Sequence, residues 1–421
     1  MLKKTNAWLW IPSLYFASGL PYHAITSISD IMYKDMGVDN TSIAFYTSMF
    51  LVPWTIKPLW SPFVEMMGTR RNWTLYSQLL LVVCFAAIAF AVPSSNFILF
   101  TLIAFMAGAF VSSTHDIALD GFYILALPQE KQSFFSGIRN TFYRIATVFS
   151  SGVLVMLAGS LSKHINNGSY AWSITFAVTA FIMAAMFLYH RKAMPKPEND
   201  LSHTPKSIGD IFSNFGEIIK SYFQKPGIWA TLLFLLLFRF PEAQLGKIGK
   251  LFLMDTIAAG GLELSKSDIG FLNGVVGVIG LIIGGILGGI CISRKGLKYW
   301  LWPMVVAISL PDVVYVYMSL FAPGSLTIIG SCIFIEQLGY GFGFTAYTLY
   351  MIYFAQGKYP TAHFAISTAF MSLGMMLPGM VSGYIQQWLG YENFFIWVMV
   401  CTAITFAVSG LIKIDPNFGK K

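Results

Sequence analysis

The residues most able to do chemistry lie in the stretch from Ser113 to Arg144, STHDIALDGFYILALPQEKQSFFSGIRNTFYR, which places two acids and two arginines inside apolar runs. Asp116 and Asp120 are four apart, so they share one face of a helix. Asn140 and Arg144 do the same on the segment that follows. The polar, turn-forming residues Pro128, Gln129, Glu130 and Lys131 read as a bend between two antiparallel helices. Matching depth on either side of that bend sets Asp116 opposite Arg144 and Asp120 opposite Arg139. At helical rise, Asp116 and Arg144 lie ~15–20 Å from the bend, near the middle of a ~30 Å hydrocarbon core. Charges at that depth are costly unless paired or facing water, so by default they mark function. The Asp120–Arg139 pair, nearer the bend, is read as a structural ion pair. Asp116 can carry a proton and Arg144 can hold an anionic group of a substrate.

Three further constellations are of the same kind. The run LFRFPEAQLGKIGK carries Arg239 and Glu242 three residues apart, with Pro241 between them to break or kink the helix. Interrupted helices at mid-depth are typical of transporter binding sites. We assign Arg239 to a substrate acid group and Glu242 to proton coupling. Glu336 is an isolated acid in an apolar run and a third candidate proton site, with Gln337 beside it for substrate. Gly339, Gly341 and Gly343 follow and allow either bending or close packing. Tyr15, Ser18 and Tyr22 line one face of the first apolar run and suit sugar rings and amides, or ordinary interior packing. His115 and Asp120 form an H-x4-D pattern known from acyltransferases. Residues five apart share a helix face poorly, and the pair lies inside a span, so an enzyme is the least favoured reading. No metal-ligand spacing is present. The four cysteines, Cys84, Cys291, Cys332 and Cys401, sit in apolar runs and read as packing residues.

The elements that must hold these residues follow from composition. Of 421 residues, 56% are apolar and 11% charged, against about 25% charged in ordinary soluble domains. Mean hydropathy is +0.65. This is an all-α, polytopic membrane protein. Twelve spans can be drawn: 7–28, 43–61, 73–92, 97–126, 133–161, 172–189, 227–253, 268–292, 299–320, 326–354, 364–386 and 394–412. The first, after Lys3 and Lys4, is too long for a signal-peptide core and is read as an uncleaved helix. Gly280, Gly284 and Gly288 repeat every fourth residue, which fits a helix-packing groove.

Lys and Arg set orientation. One side holds Arg70, Arg71, Lys131, Arg191, Lys192, Lys225, Arg294, Lys295, Lys298, Lys358 and others, while the opposite side holds only Lys34, Lys163 and Lys266. The rich side is cytoplasmic, with both termini inside. The net charge of +8 therefore belongs to one face of a membrane protein and gives no argument for nucleic acid. The long basic loop 191–226 divides the chain into an N-terminal bundle, 1–190, and a C-terminal bundle, 227–421, of six spans each. Within it, Ile208 to Phe223 has apolar residues at helical spacing and is expected to lie as a helix on the membrane surface. Two such halves indicate a duplicated transporter.

The blocks YFASGLP (Tyr15 to Pro21), KPLWSP (Lys57 to Pro62), STHDIALD (Ser113 to Asp120) and FYR (Phe142 to Arg144) resemble the AmpG-like muropeptide permease family of the major facilitator superfamily. The likeness covers nearly the whole chain and is looser in the second half. It implies twelve helices in two pseudo-symmetric six-helix bundles, alternating access, and proton-coupled import of peptidoglycan-derived sugars across the bacterial inner membrane. Glu65, Gly68, Arg70 and Arg71 match the superfamily's acidic–glycine–basic gating loop. The chain departs at His115, where the family usually has Gln, and at Gly121-Phe122-Tyr123, where an AYR-like triplet is usual. The expected ligand is a small acidic or N-acetylated sugar, together with protons and the lipid bilayer. A monomer without cofactor or metal is expected. An exporter, or a carrier of other organic anions such as acyl-CoA, is the competing reading.

Overall fold

The computed structural model describes residues 6–66, 68–127, 129–197, 200 and 208–420. The described residues are almost wholly helical. Nine helices among them are long and apolar enough to cross a membrane. One of these, Pro360–Leu411, bends at Gly390, whose φ of 74° ends one span and starts the next. The first span is a continuous helix over 11–35, and the second, over 40–66, is built from short pieces. Together they make twelve spans.

The apolar stretches form helices because every backbone polar group in hydrocarbon must be satisfied within its own segment. Where proline withholds an N–H, the helix changes form. The second span is not the single rod expected over 43–61. It runs as Asn40–Met49, Val52–Ile56, a 3-10 turn Lys57–Leu59 and Ser61–Met66, because Pro53, Pro58 and Pro62 each interrupt the ladder. Pro241 acts as expected, since the seventh span stops at Leu237 and restarts as Phe240–Met254. In the first span Pro21 precedes a π-helical turn, Ala24–Ile28. Two more π turns, Phe149–Leu154 and Leu272–Val276, interrupt the fifth and eighth spans, a device frequent at functional sites.

The chain forms two compact units, Met1–Met32 with Ile56–Ile211, and Tyr33–Thr55 with Phe212–Lys421. In the second unit, the tenth span, Leu326–Ala355, is held on two sides by glycine. A Cβ on Gly284 would stand 2.0 Å from Leu338 O, and one on Gly341 would stand 2.2 Å from Leu281 O. Gly339 and Gly343 instead face the ninth span, at 2.2 Å from Ala307 O and 2.5 Å from Met304 O. The alternating glycines therefore serve close packing on two neighbours, and the groove at Gly280, Gly284 and Gly288 forms as its spacing indicated. Tyr33–Thr55 joins this unit through Gly379 and Gly383, whose missing Cβ atoms admit Ser48 and Thr41 at 2.6 Å. Lys34 pairs with Asp255 at 2.8 Å, Lys266 with Asp35 at 2.7 Å, and Asn40 reaches Asp255 and Gln386.

The helix Ile208–Phe223 forms as its periodicity indicated. Tyr222 is fully buried against Phe354, His363 and Phe370. Glu217 accepts bonds from Lys358 Nζ and Tyr359 OH, both at 2.9 Å.

Candidate functional site

In the first unit the candidate residues meet on the first, fourth and fifth spans. Arg139 Nη1 lies 3.6 Å from Asp120 Oδ1. Tyr15 OH sits in the middle, donating to Asp120 at 3.2 Å and accepting from Arg139 at 3.2 Å. The guanidinium also lies 5.2 Å from the ring centres of Tyr15 and Tyr123, within the ~6 Å reach of a cation–π contact. Depth matching thus paired Asp120 with Arg139 and missed the tyrosine that joins them. The Asp120 side chain is 51% exposed, so the pair opens to one side and is not a sealed clamp.

One turn deeper, Asp116 accepts a bond of 2.6 Å from Ser18 Oγ. Asp116 and Arg144 both act electrostatically on Tyr143, as does Tyr22. Tyr22 also packs on His23 and Tyr143, while His23 Nε2 and Thr147 Oγ1 are 2.7 Å apart. The stripe Tyr15, Ser18, Tyr22 therefore faces the acids and arginine picked out from the sequence. Gly19 makes this possible, because its missing Cβ leaves room for Ala146 at 2.8 Å on the fifth span.

His115 points elsewhere. It is fully buried, and its Nε2 lies 3.1 Å from Gln78 Nε2. Gln78 Oε1 is 3.0 Å from His190 Nδ1, and His190 Nε2 is 2.9 Å from Ser13 Oγ. This buried chain ties the first, third, fourth and sixth spans together and leaves His115 no place as a surface base.

The loop match is partly visible. The Glu65 side chain lies outside the described residues. Gly68 turns the chain with φ +83°, and Thr69 caps the third span by accepting from Asn72 N. The backbone N–H groups of Arg70 and Arg71 donate to Asp200 Oδ1 and Oδ2 at 2.8 and 3.0 Å. A carboxylate there satisfies orphan donors and meets the positive end of the helix. The Arg71 side chain donates to the carbonyls of Arg191 and Met194. The Arg70 side chain crosses Gly121, where a Cβ would come within 2.7 Å. A larger residue at 121 would displace the flexible Arg70 side chain, and Gly121 departs from the family triplet where Arg70 crosses. Asp200, in a stretch of low sequence signal, was missed.

In the second unit Arg239 ends the first half of the seventh span in a non-helical conformation, φ −100° and ψ 16°. Its Nε donates to Glu242 Oε2 at 2.8 Å and its Nη2 to Tyr340 OH at 2.7 Å. The guanidinium also lies 4.9 Å from the Phe344 ring centre. Glu336 is 5% exposed and is not unpaired as expected, because Gln337 Nε2 donates to both of its carboxylate oxygens at 3.2 and 2.9 Å. An apolar groove of about 560 Å³, lined by residues such as Phe271, Leu272 and Phe334, is bordered by none of these charged groups. No cluster of potential metal ligands occurs among the described residues.

The chain is 25% identical over 404 residues to the anhydromuropeptide permease of Escherichia coli K12, covering 95% of this chain and 77% of that protein. It is 25% identical over 399 residues to the AmpG 4 transporter of Rickettsia conorii, covering 92% of each. Among solved structures, a proton-dependent oligopeptide transporter superposes with TM-score 0.71 at 15% identity, covering 97% of this chain and 99% of that one. The D-xylose–proton symporter gives 0.70 at 12%, covering 97% and 98%. The nucleoside transporter NupG gives 0.69 at 16%, covering 97% and 100%. The solved structures show the fold. The family model of the Major Facilitator Superfamily matches residues 13–377, and the chain belongs to that superfamily.

Proposed function

We propose that this transporter is a proton-coupled importer of muropeptide-like sugars, acidic or N-acetylated, across the bacterial inner membrane. Its bundles are 1–190 and 227–421, joined by 191–226, and both termini are cytoplasmic. The observation that carries the reading is the repetition of one chemistry in each unit. Tyr15 with Asp120 and Arg139 in the first, and Tyr340 with Glu242 and Arg239 in the second, each set a phenol and a carboxylate around a guanidinium inside a span. Guanidinium groups suit a substrate carboxylate, because they present paired N–H donors in a fixed fork. Tyrosines and Ser18 suit the hydroxyls and amides of an N-acetylated sugar. Asp116, Glu242 and Glu336 are the carboxyls assigned to the proton, Tyr15, Ser18, Tyr22, Arg144, Arg239 and Gln337 the groups assigned to substrate. The likeness to the E. coli anhydromuropeptide permease narrows the class.

The test is uptake of a radiolabelled anhydromuropeptide into proteoliposomes with and without an inside-alkaline pH gradient. Accumulation that needs the gradient is the expected result. Uptake that ignores the gradient would remove proton coupling, and no uptake in either condition would remove the substrate class. Asp116→Asn is expected to equilibrate the sugar without concentrating it. Full accumulation by that variant would free Asp116 of the proton role.

A further inference from the structure

The ninth span carries an acid that its apolar surroundings hid. Helix Leu297–Ser309 gives way to a 3-10 turn, Leu310–Asp312, and restarts as Val313–Phe321. Pro311 makes that break, since it has no N–H to continue the ladder. The turn is pressed against the tenth span, where a Cβ on Gly339 would meet Ala307 O at 2.2 Å and Pro311 Cγ at 2.7 Å. Glu336 stands three residues before that glycine.

Two polar side chains of this break are buried and unmatched. Asp312 is 3% exposed and its Oδ2 has no hydrogen-bond partner; Ser309, also 3% exposed, has a hydroxyl equally without one. Three residues apart on a helical turn, they share a face. The charged and titratable groups around Asp312 are Glu336 from the tenth span and Glu242 from the seventh, both of which act on it electrostatically. Tyr315, one turn on, feels Asp312, Glu336 and Cys332 and fills the space left by Gly249 of the seventh span at 3.0 Å.

The charge count decides the state of this cluster. Three carboxyls share one buried neighbourhood. Arg239 offsets Glu242 at 2.8 Å. Gln337 donates two bonds to Glu336. Among the described residues, no cation and no hydrogen-bond donor is recorded for Asp312 Oδ2. An isolated buried carboxylate is among the costliest groups a protein interior can hold, whereas a neutral carboxyl is tolerated.

We propose that Asp312 is a proton-carrying carboxyl of the transport cycle, holding its proton in this conformation and sharing the load with Glu336. Loading forms one O–H bond on the Asp312 carboxyl at the expense of a hydronium ion, which becomes water. Unloading reverses this, and no other bond changes. Ionisation would place a third negative charge beside the Arg239–Glu242 pair and so bias the guanidinium towards or away from a substrate carboxylate. The role rests on the proton-coupled reading above.

The experiment has two arms. In the first, infrared spectra of purified protein at neutral pH are compared with those of protein carrying aspartate labelled with ¹³C at the side-chain carboxyl. A protonated-carboxyl C=O band that shifts with the label and disappears in Asp312→Asn is expected. Absence of a label-sensitive band in the unsubstituted protein overturns the proposal without recourse to any variant. A band that survives unchanged in Asp312→Asn does so too. In the second arm, a gradient of about one pH unit drives uptake of the radiolabelled anhydromuropeptide, worth about ten-fold accumulation for one proton. Asp312→Asn is expected to lose that factor while counterflow exchange, which needs no net proton movement, continues. Full accumulation by the variant overturns the proposal. If the unsubstituted protein ignores the gradient, the proton-coupled reading falls, and the infrared arm still reports whether Asp312 holds a proton.

Discussion

At the scale of single residues, the pairing of Asp120 with Arg139 needs only helix geometry and a bend near Glu130, and the ion pair forms at 3.6 Å. The residue that joins them, Tyr15, lies 105 positions earlier than Asp120, and no local spacing connects the two. Tyr15→Phe isolates its contribution. The change keeps the ring over Arg139 but removes one donor to Asp120 and one acceptor from Arg139. Hydrogen bonds to charged groups are worth about 1.5–3 kcal/mol when buried. Solvent screening at the half-exposed Asp120 brings the expected loss to about 1 kcal/mol or less. Thermal unfolding of the purified variant in detergent measures it, and a loss several times larger would mean that Tyr15 organises more than this pair. Asp116 teaches the same lesson, since its short bond comes from Ser18 on a distant segment. Asp312 was legible in principle, as a lone acid after Pro311 in an apolar run. No opposite charge stands at helical spacing from it to mark it in the sequence.

At the scale of elements, the sequence carried most where one residue dominates the backbone. Pro241 breaks the seventh span, and glycines four apart make the groove on the eighth. It carried least where several prolines compete, as in the second span, or where an extra residue is absorbed as a π turn with no compositional mark. The groove yields a controlled prediction. Gly284→Ala drives a methyl into Leu338 O, at 2.0 Å in the undisturbed packing, while Gly289→Ala meets nothing within 4 Å. Overpacking of this kind costs about 1–3 kcal/mol. The thermal midpoint should fall for the first variant and hold or rise slightly for the second; equal midpoints would mean that the eighth and tenth spans separate easily. The linker helix offers a pH test. Hydrogen bonds from Lys358 and Tyr359 hold the Glu217 carboxyl below its usual value, while hydrogen bonds to Tyr359 and then to Glu217 raise Lys358. A carboxyl depressed in the folded state contributes stability above its unfolded pKa and loses it as pH falls through the folded value. Both groups are exposed, so the tether should also weaken with salt. Protection from hydrogen exchange over 215–223, taken relative to the intrinsic rate at each pH, should therefore fall on acidification below the carboxylate range and in high salt, and Glu217→Gln should abolish both responses. Responses that persist in the variant would assign them to the buried Tyr222 contacts instead.

At the scale of the whole molecule, two compact units of packed helices are what apolar runs, short turns and one long polar linker require. The segment Tyr33–Thr55 shows where chain order and packing part company, because it clusters with Phe212–Lys421 and not with its sequence neighbours. Its anchors, Lys34 to Asp255 and Lys266 to Asp35, use two of the three lysines on the sparsely charged side. Those lysines are thus occupied in ion pairs. Positive-inside bias acts through basic residues near span ends, and only Lys34, Lys163 and Lys266 stand on the opposite side. Lys163, exposed at the end of the helix Val155–Ile165, and Lys295, exposed at the end of Gly277–Lys295, should then lie on opposite sides of the membrane. With the native cysteines replaced by serine, Lys163→Cys should react with an impermeant maleimide added outside spheroplasts. Lys295→Cys should react only after the membrane is opened. The reverse pattern would invert the topology, place both termini outside, and turn the proposed importer into a carrier whose basic face meets the periplasm.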